Sequence, residues 1–385
     1  MMKTMARWKF TTSAKRRLSR FVPPKALLLS ALGFAAYYRY ISQPAELIYQ
    51  DNEANRALIQ RNPRLTRRYY PTPWLINTYL QIGFVELKRA LSSQPEYQRV
   101  DRLSTPDGAA TALYWLGDEL PADTPILMVL HTITGTPESM SFFMRDLQRL
   151  TDFRVVLCER RGHGSSSLAT ARFNTMGDVD DVKQQVACIQ NRFPDAPLYA
   201  AGVSAGTAVL VRYLGENLGS HPIKGAFLYC PGYDIATAFA RSVPWISKIM
   251  TKKLIKHFVR AKPELFEGFV SLNPLLASKD LHQFHLRLYE FAGYASSEAY
   301  YAHCNPVNFM SQLDIPLLIL NSEDDPVCRL QNVYDQAATI KQLPSAVVAV
   351  TKRGSHCTHF AGLKPYSWSH RLAAEFFLSL EKTKG

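Results

Sequence analysis

No acidic residue occurs in the first 45 positions of this 385-residue chain; Glu46 is the first. That head carries Lys3, Arg7, Lys9, Lys15, Arg16, Arg17, Arg20, Lys25 and Arg39. These nine cations hold most of the formal net charge of +13 and leave about +4 on the remainder. A basic body that grips nucleic acid is therefore not indicated. Cysteine is sparse: Cys158, Cys188, Cys230, Cys304, Cys328 and Cys357 are scattered, with no Cys-x-x-Cys pair. That spacing argues against a disulfide frame and a metal site, and reads as buried thiols. No internal repeat or low-complexity tract is present. Nor is there an uncharged apolar run of the ~20 residues that a bilayer span needs, because residues 26–38 fall short.

A span is reached only if the run is extended to residues 21–41, with Lys25 and Arg39 snorkelling to the two interfaces. Tyr37, Tyr38 and Tyr40 then suit an aromatic belt. The expectation is a single-pass membrane protein with a cytosolic N-terminus. The competing reading is a transit peptide for the mitochondrion or another organelle, which an acid-free head bearing Arg and Ser also fits. The chain accordingly divides into a head with anchor or targeting segment (1–45), a polar and aromatic approach segment (46–97) and a main domain (98–385).

What is present in the main domain is alternation. Residues 99–116 read as a hairpin about Thr105-Pro106-Asp107-Gly108. Residues 125–130, 155–158, 225–230, 315–320 and 346–350 are apolar runs of the kind expected of strands buried on both faces. Helical spacing fills 139–150, 178–193 and 368–380. The pattern implies an α/β fold: a mostly parallel central sheet with helices on both faces. Residues 231–314 break the alternation with helical patterns only, and read as a cap over the strand ends.

The chemistry centres on Gly202-Val203-Ser204-Ala205-Gly206, between an apolar strand and a helix. In this Gly-x-Ser-x-Gly elbow the turn lifts the hydroxyl clear of the sheet. A serine hydroxyl needs a base and a group that holds the base, supplied in this fold in the order Ser, then Asp or Glu, then His. The acidic cluster Glu323-Asp324-Asp325 and His356 follow the last two strands, with Asp324 and His359 as the close rivals. For an oxyanion hole, one N–H comes from Ala205 and the second from Ile133 in the loop 130–135. His131 reads as a structural loop residue. No cofactor motif is found.

These pieces resemble the α/β-hydrolase fold superfamily, and within it the YheT-like branch. That branch includes membrane-anchored mammalian lipases and phospholipases, plant embryogenesis-associated esterases and yeast medium-chain acyltransferases. The resemblance runs over about residues 98–380. It rests on Leu130 to Gly135, Arg160-Arg161-Gly162-His163-Gly164, the elbow, Tyr213-Leu214-Gly215, Asp324-Asp325-Pro326 and Gly354-Ser355-His356. It implies Ser204 as nucleophile, His356 as base and Asp325, just before the Pro-containing turn, as the group that orients it. Two positions depart from the family: Thr132 and Thr207 stand where glycine is usual, and Thr132 adjoins the oxyanion amide.

The function expected is a serine hydrolase cleaving carboxylic esters of lipid-like substrates through an acyl-enzyme on Ser204. An acyltransferase passing the acyl group to an alcohol, and a non-catalytic binding protein, are the alternatives. The expected partners are a lipid or other acyl ester and a membrane surface, with no nucleic acid and a monomeric chain. Within the cap, Ile246, Ile249, Met250, Leu254 and Phe258 form an apolar stripe beside Lys248, Lys252, Lys256 and Arg260. That pattern suits either a helix packed on the body or one that meets acyl chains and anionic headgroups.

Overall fold

The protein is described by a computed structural model covering residues 24–91, 96–164 and 168–382. Nine strands build the main sheet: β1 (Glu46–Tyr49), β2 (Arg99–Ser104), β3 (Ala110–Leu116), β4 (Ile126–Leu130), β5 (Arg154–Glu159), β6 (Leu198–Val203), β7 (Ile223–Tyr229), β8 (Leu317–Ser322) and β9 (Ala346–Thr351). Their order is β1-β9-β8-β7-β6-β4-β5-β3-β2. The six strands from β4 to β9 are mutually parallel. The hairpin β2–β3 joins β5 antiparallel, and β1 joins β9 antiparallel.

The apolar runs become central strands because both of their faces are covered. Ile126, Met128 and Leu130 of β4 face one core, while Leu127 and Val129 face the other. This is the two-residue alternation of a strand. One core is closed by two helices, Val179–Arg192 and Ala205–Glu216. The other is closed by Pro137–Thr151 and Trp368–Glu381. Every residue of β4 is buried.

Among the described residues, those between β7 and β8 contain helices and no strand. Ile235–Arg241 and Pro244–Leu254 are the first two of these helices. They share an aromatic core with the loop before Val179, in which Phe173 stacks on Phe258 at 4.7 Å. Ile133 and Ala205 belong to that same cluster, so the cap core reaches the sheet's C-terminal edge. Of the stripe, Leu254 and Phe258 are buried there and Ile246 is buried against Val327 and Cys328; Trp245 and Ile249 remain exposed beside Lys248, Lys252 and Lys256. Packing therefore takes most of the apolar face that an interfacial helix would have offered.

The expected membrane span is corrected. Its helix is Pro24–Ile41, and no helix among the described residues is long and apolar enough to cross a membrane. Lys25 and Arg39 lie inside its 18 residues, and its C-terminal end is tied to the body. The Tyr38 hydroxyl donates to the carbonyl of Pro71 at 2.7 Å, Arg353 donates to the Tyr37 hydroxyl, and Ile41 is buried. Residues 27–37 are exposed, including Leu27, Leu28, Leu29 and Leu32. The basic positions from Lys3 to Arg20 lie outside the described residues.

Candidate active site

Ser204 sits between β6 and the helix Ala205–Glu216, with φ 53° and ψ −117°. A side chain rarely adopts that conformation, which is held only where surroundings enforce it. The enforcement is visible at the flanking glycines. A Cβ on Gly202 would lie 2.7 Å from Thr207 Cα, and one on Gly206 would lie 2.1 Å from the Leu130 carbonyl oxygen. The elbow thus needs its glycines for space. Thr207, at the departing position, donates its hydroxyl to the Ser204 carbonyl at 2.6 Å and reinforces the turn.

Three side chains meet at the sheet edge. His356 Nε2 lies 2.8 Å from Ser204 Oγ, and His356 Nδ1 lies 2.8 Å from Asp325 Oδ2. Asp325 is fully buried, and its other oxygen accepts from the N–H groups of Val327 and Cys328 at 2.7 and 2.8 Å. The carboxylate is thereby fixed and holds the proton on Nδ1. In the neutral ring Nε2 is left free to accept from the serine hydroxyl. Burial opposes a charge on the His356 ring, yet the Asp325 carboxylate outweighs it and the pKa is pushed up to about 9.

The rivals sit elsewhere. Asp324 accepts from the Ser355 N–H at 2.8 Å and braces the loop that carries His356. His359 is buried between the Tyr229 and Thr351 hydroxyls, at 2.9 Å from each, and burial pulls its pKa down to about 3. It is a neutral packing residue.

Ala205 is the first residue of its helix, where backbone N–H groups have no acceptor within the helix. Ile133 lines the same cavity as Ser204 and Ala205. Its peptide is clamped from behind. The Thr132 carbonyl accepts from Arg160 Nη2 at 2.6 Å and from the Gly135 N–H at 2.9 Å. Because a trans peptide points its C=O and N–H in opposite directions, the clamp turns the Ile133 N–H away from Arg160. The Arg160 N–H donates to His131 Nε2 at 3.1 Å, which leaves the proton on Nδ1 to reach the Thr132 oxygen at 2.9 Å. Arg160 is buried without a carboxylate partner among the described residues, and burial draws its pKa down to about 9. Its neighbour Arg161, by contrast, meets Asp107, Asp178 and Asp181. Thr132 takes an ordinary negative φ, so its Cβ is accommodated without strain.

Sequence reasoning named Arg160 only as part of a resemblance. Its role lies in a contact across 28 residues that no local pattern announces.

The cavity at Ser204 is lined by Ile133, Met176, Ile235, Phe239 and Met250, and holds about 30 Å³. Phe239 and Met250 come from the first two cap helices, so the cap supplies one wall of this cavity.

The raised His356 value has a kinetic sign. A base must be neutral to take a serine proton, so with His356 proposed as that base kcat/KM should rise with pH along a limb whose apparent pKa lies above 6.5, towards 9. A pH–rate profile with its limb at or below 6.5 would contradict the assigned electrostatics.

A family model described as "Hydrolase_4: Serine aminopeptidase, S33" matches residues 124–360. Mouse "Phospholipase ABHD3" is 26% identical over 349 residues, covering 87% of this chain and 84% of the relative. "Embryogenesis-associated protein EMB8" of Picea glauca is 26% identical over 372 residues, covering 91% and 80%. "Medium-chain fatty acid ethyl ester synthase/esterase 2" of Saccharomyces cerevisiae is 22% identical over 346 residues, covering 80% and 76%.

Proposed function

We propose a function from one premise: the chain belongs to the Hydrolase_4 family of the α/β-hydrolase superfamily, and is a hydrolase. Its activity is cleavage of carboxylic esters of lipid-like substrates, with Ser204 as nucleophile, His356 as base and Asp325 as its anchor. The observation that carries this reading is the unbroken chain from Ser204 Oγ through His356 to Asp325, each link 2.8 Å. Ser204 Oγ attacks the ester carbonyl as its proton passes to Nε2. The oxyanion that forms is met by the N–H groups of Ile133 and Ala205. His356 returns the proton to the departing alcohol, and water, activated by the same ring, releases the acid.

A lipid-like acyl group suits the apolar cavity, and the names of the phospholipase and fatty acid ester relatives support it. The yeast relative's name, synthase/esterase, favours a second reading in which an alcohol replaces water in the last step. A fluorophosphonate probe followed by a p-nitrophenyl ester assay tests the first reading. A folded protein that neither labels at Ser204 nor turns over ester would refute it. The ratio of acid to transferred ester in added ethanol separates the two readings.

The body works at a membrane surface. Lys248 and Lys252 are exposed on the helix Pro244–Leu254, beside Trp245 and Ile249, and Lys256 is exposed in the helical turn Ile255–Val259 that continues it. Replacing the three lysines by Gln should weaken binding to anionic vesicles at low salt by about two decades, since each cation adds about a factor of five. Hydrolysis of a soluble short-chain ester should stay unchanged. Equal vesicle binding before and after would leave the lysines as solvated side chains only.

A further inference from the structure

Spacing along the chain hides a convergence of thiols around the proposed base. Cys230 follows β7 directly, Cys357 follows His356, and the two are 127 positions apart. The Cys357 N–H donates to Cys230 Sγ at 3.4 Å. One ligand atom each from Cys230, Cys357 and His356 falls within 4.8 Å of the others, and Asp325, Cys328 and His356 form a second such group. His356 is common to both. Cys230 and Cys328 are buried, while Cys357 is half-buried and borders a cavity of about 80 Å³ that also touches Thr132 and Val203.

We propose that Cys230, Cys357 and His356 form a binding site for a thiophilic divalent cation, Zn²⁺ first among them, and that its occupation switches the hydrolase off. Two sulfurs and an imidazole are a ligand set that zinc favours and that magnesium or calcium, which seek oxygen, does not. Tetrahedral zinc has Zn–S of about 2.3 Å and Zn–N of about 2.0 Å, which places ligand atoms roughly 3.5–3.8 Å apart. A separation of at most 4.8 Å is therefore closed by a contraction of about 1 Å, within the reach of side-chain rotation. Asp325 or a water molecule completes the tetrahedron. On binding, each thiol gives its proton to solvent, so one Zn²⁺ enters and two H⁺ leave.

The consequence for catalysis follows from the imidazole. Nδ1 is held by Asp325 and Nε2 by Ser204, so a metal on either nitrogen removes one bond that the base needs. Metal binding and proton transfer are then mutually exclusive. The inhibition clause rests on the hydrolase reading, whereas the binding site does not.

The test uses the full chain with thiols kept reduced by a phosphine and free Zn²⁺ set by a metal buffer. Micromolar Zn²⁺ should abolish ester turnover and fluorophosphonate labelling of Ser204, and EDTA should restore both. Cys230→Ala/Cys357→Ala, which leaves Ser204, His356 and Asp325 in place, should raise the inhibitory concentration at least tenfold. In equilibrium dialysis, Ser204→Ala protein should bind one Zn²⁺ per chain at this site, lost when both cysteines are replaced. This arm holds even for a chain that hydrolyses nothing. Should the double variant fail to fold, Co²⁺ on the unaltered protein gives the decisive reading, as a thiolate-to-cobalt charge-transfer band in the near ultraviolet. Absence of that band, or equal zinc sensitivity of the parent and the folded double variant, overturns the proposal.

Discussion

Ser204→Ala is expected to abolish fluorophosphonate labelling and to lower ester turnover by about six orders of magnitude. That is the scale found when a nucleophile is removed from a preorganised triad, the remainder coming from binding and the oxyanion donors. The fold should be untouched. Alanine keeps the Cβ that already tolerates φ 53°, and among the described residues the hydroxyl's side-chain partner is His356. Thermal unfolding should therefore match the parent. Ser204→Gly supplies the contrast, because glycine takes positive φ without strain and should unfold at a higher temperature. Turnover by Ser204→Ala within tenfold of the parent would remove the serine from the mechanism.

The second large effect is expected at Asp325. In Asp325→Asn one side-chain oxygen still accepts from Val327 and Cys328, so the loop keeps its shape. The amide placed opposite His356 is now a donor. It meets the Nδ1 proton with another proton and favours the wrong tautomer. A loss of about four orders of magnitude in kcat is expected on the precedent of such substitutions. The rising limb of the pH profile should also move to lower pH, since the carboxylate that raises the ring's pKa is gone. Asp324→Ala is the control. It removes the acceptor of the Ser355 N–H and should cost stability, while kcat stays within about tenfold because its carboxylate does not face the ring. Reversal of these two effects would exchange the roles of the two aspartates.

The parts of this site legible in the sequence are those whose signal is local. Gly202 to Gly206 announces itself because steric crowding at a tight turn dictates small residues at fixed offsets. His356 and Asp325 are legible as polar residues directly after apolar runs, where strand ends meet at one sheet edge. Three features were not legible, for different physical reasons. Arg160 acts through a peptide 28 residues away, so its position in an Arg-Arg-Gly-His-Gly stretch says nothing of its contact. Cys230 and Cys357 are brought together by the sheet order, with the chain between them spent on the cap and two strands. The span expected over residues 21–41 rests on apolar length, snorkelling cations and an aromatic belt, none of which foresees Tyr37, Tyr38 and Ile41 docking on the body.

The short strand β1 also sets how far the head can be trimmed. Its four residues pair with 347–350 of β9, and every residue of β9 is buried. A chain starting after Tyr49 would leave Ala346-Val347-Val348-Ala349-Val350-Thr351 as a bare, β-branched, uncharged border. Such a border offers unpaired backbone groups to any passing chain and seeds edge-to-edge aggregation. The opposite border carries its own safeguard, because β2 displays Arg99, Asp101 and Arg102. Shortened forms meant for solution work should therefore begin before Glu46. Their tendency to precipitate should switch on between starts at residues 45 and 50, with the proposed active-site residues unaltered in both.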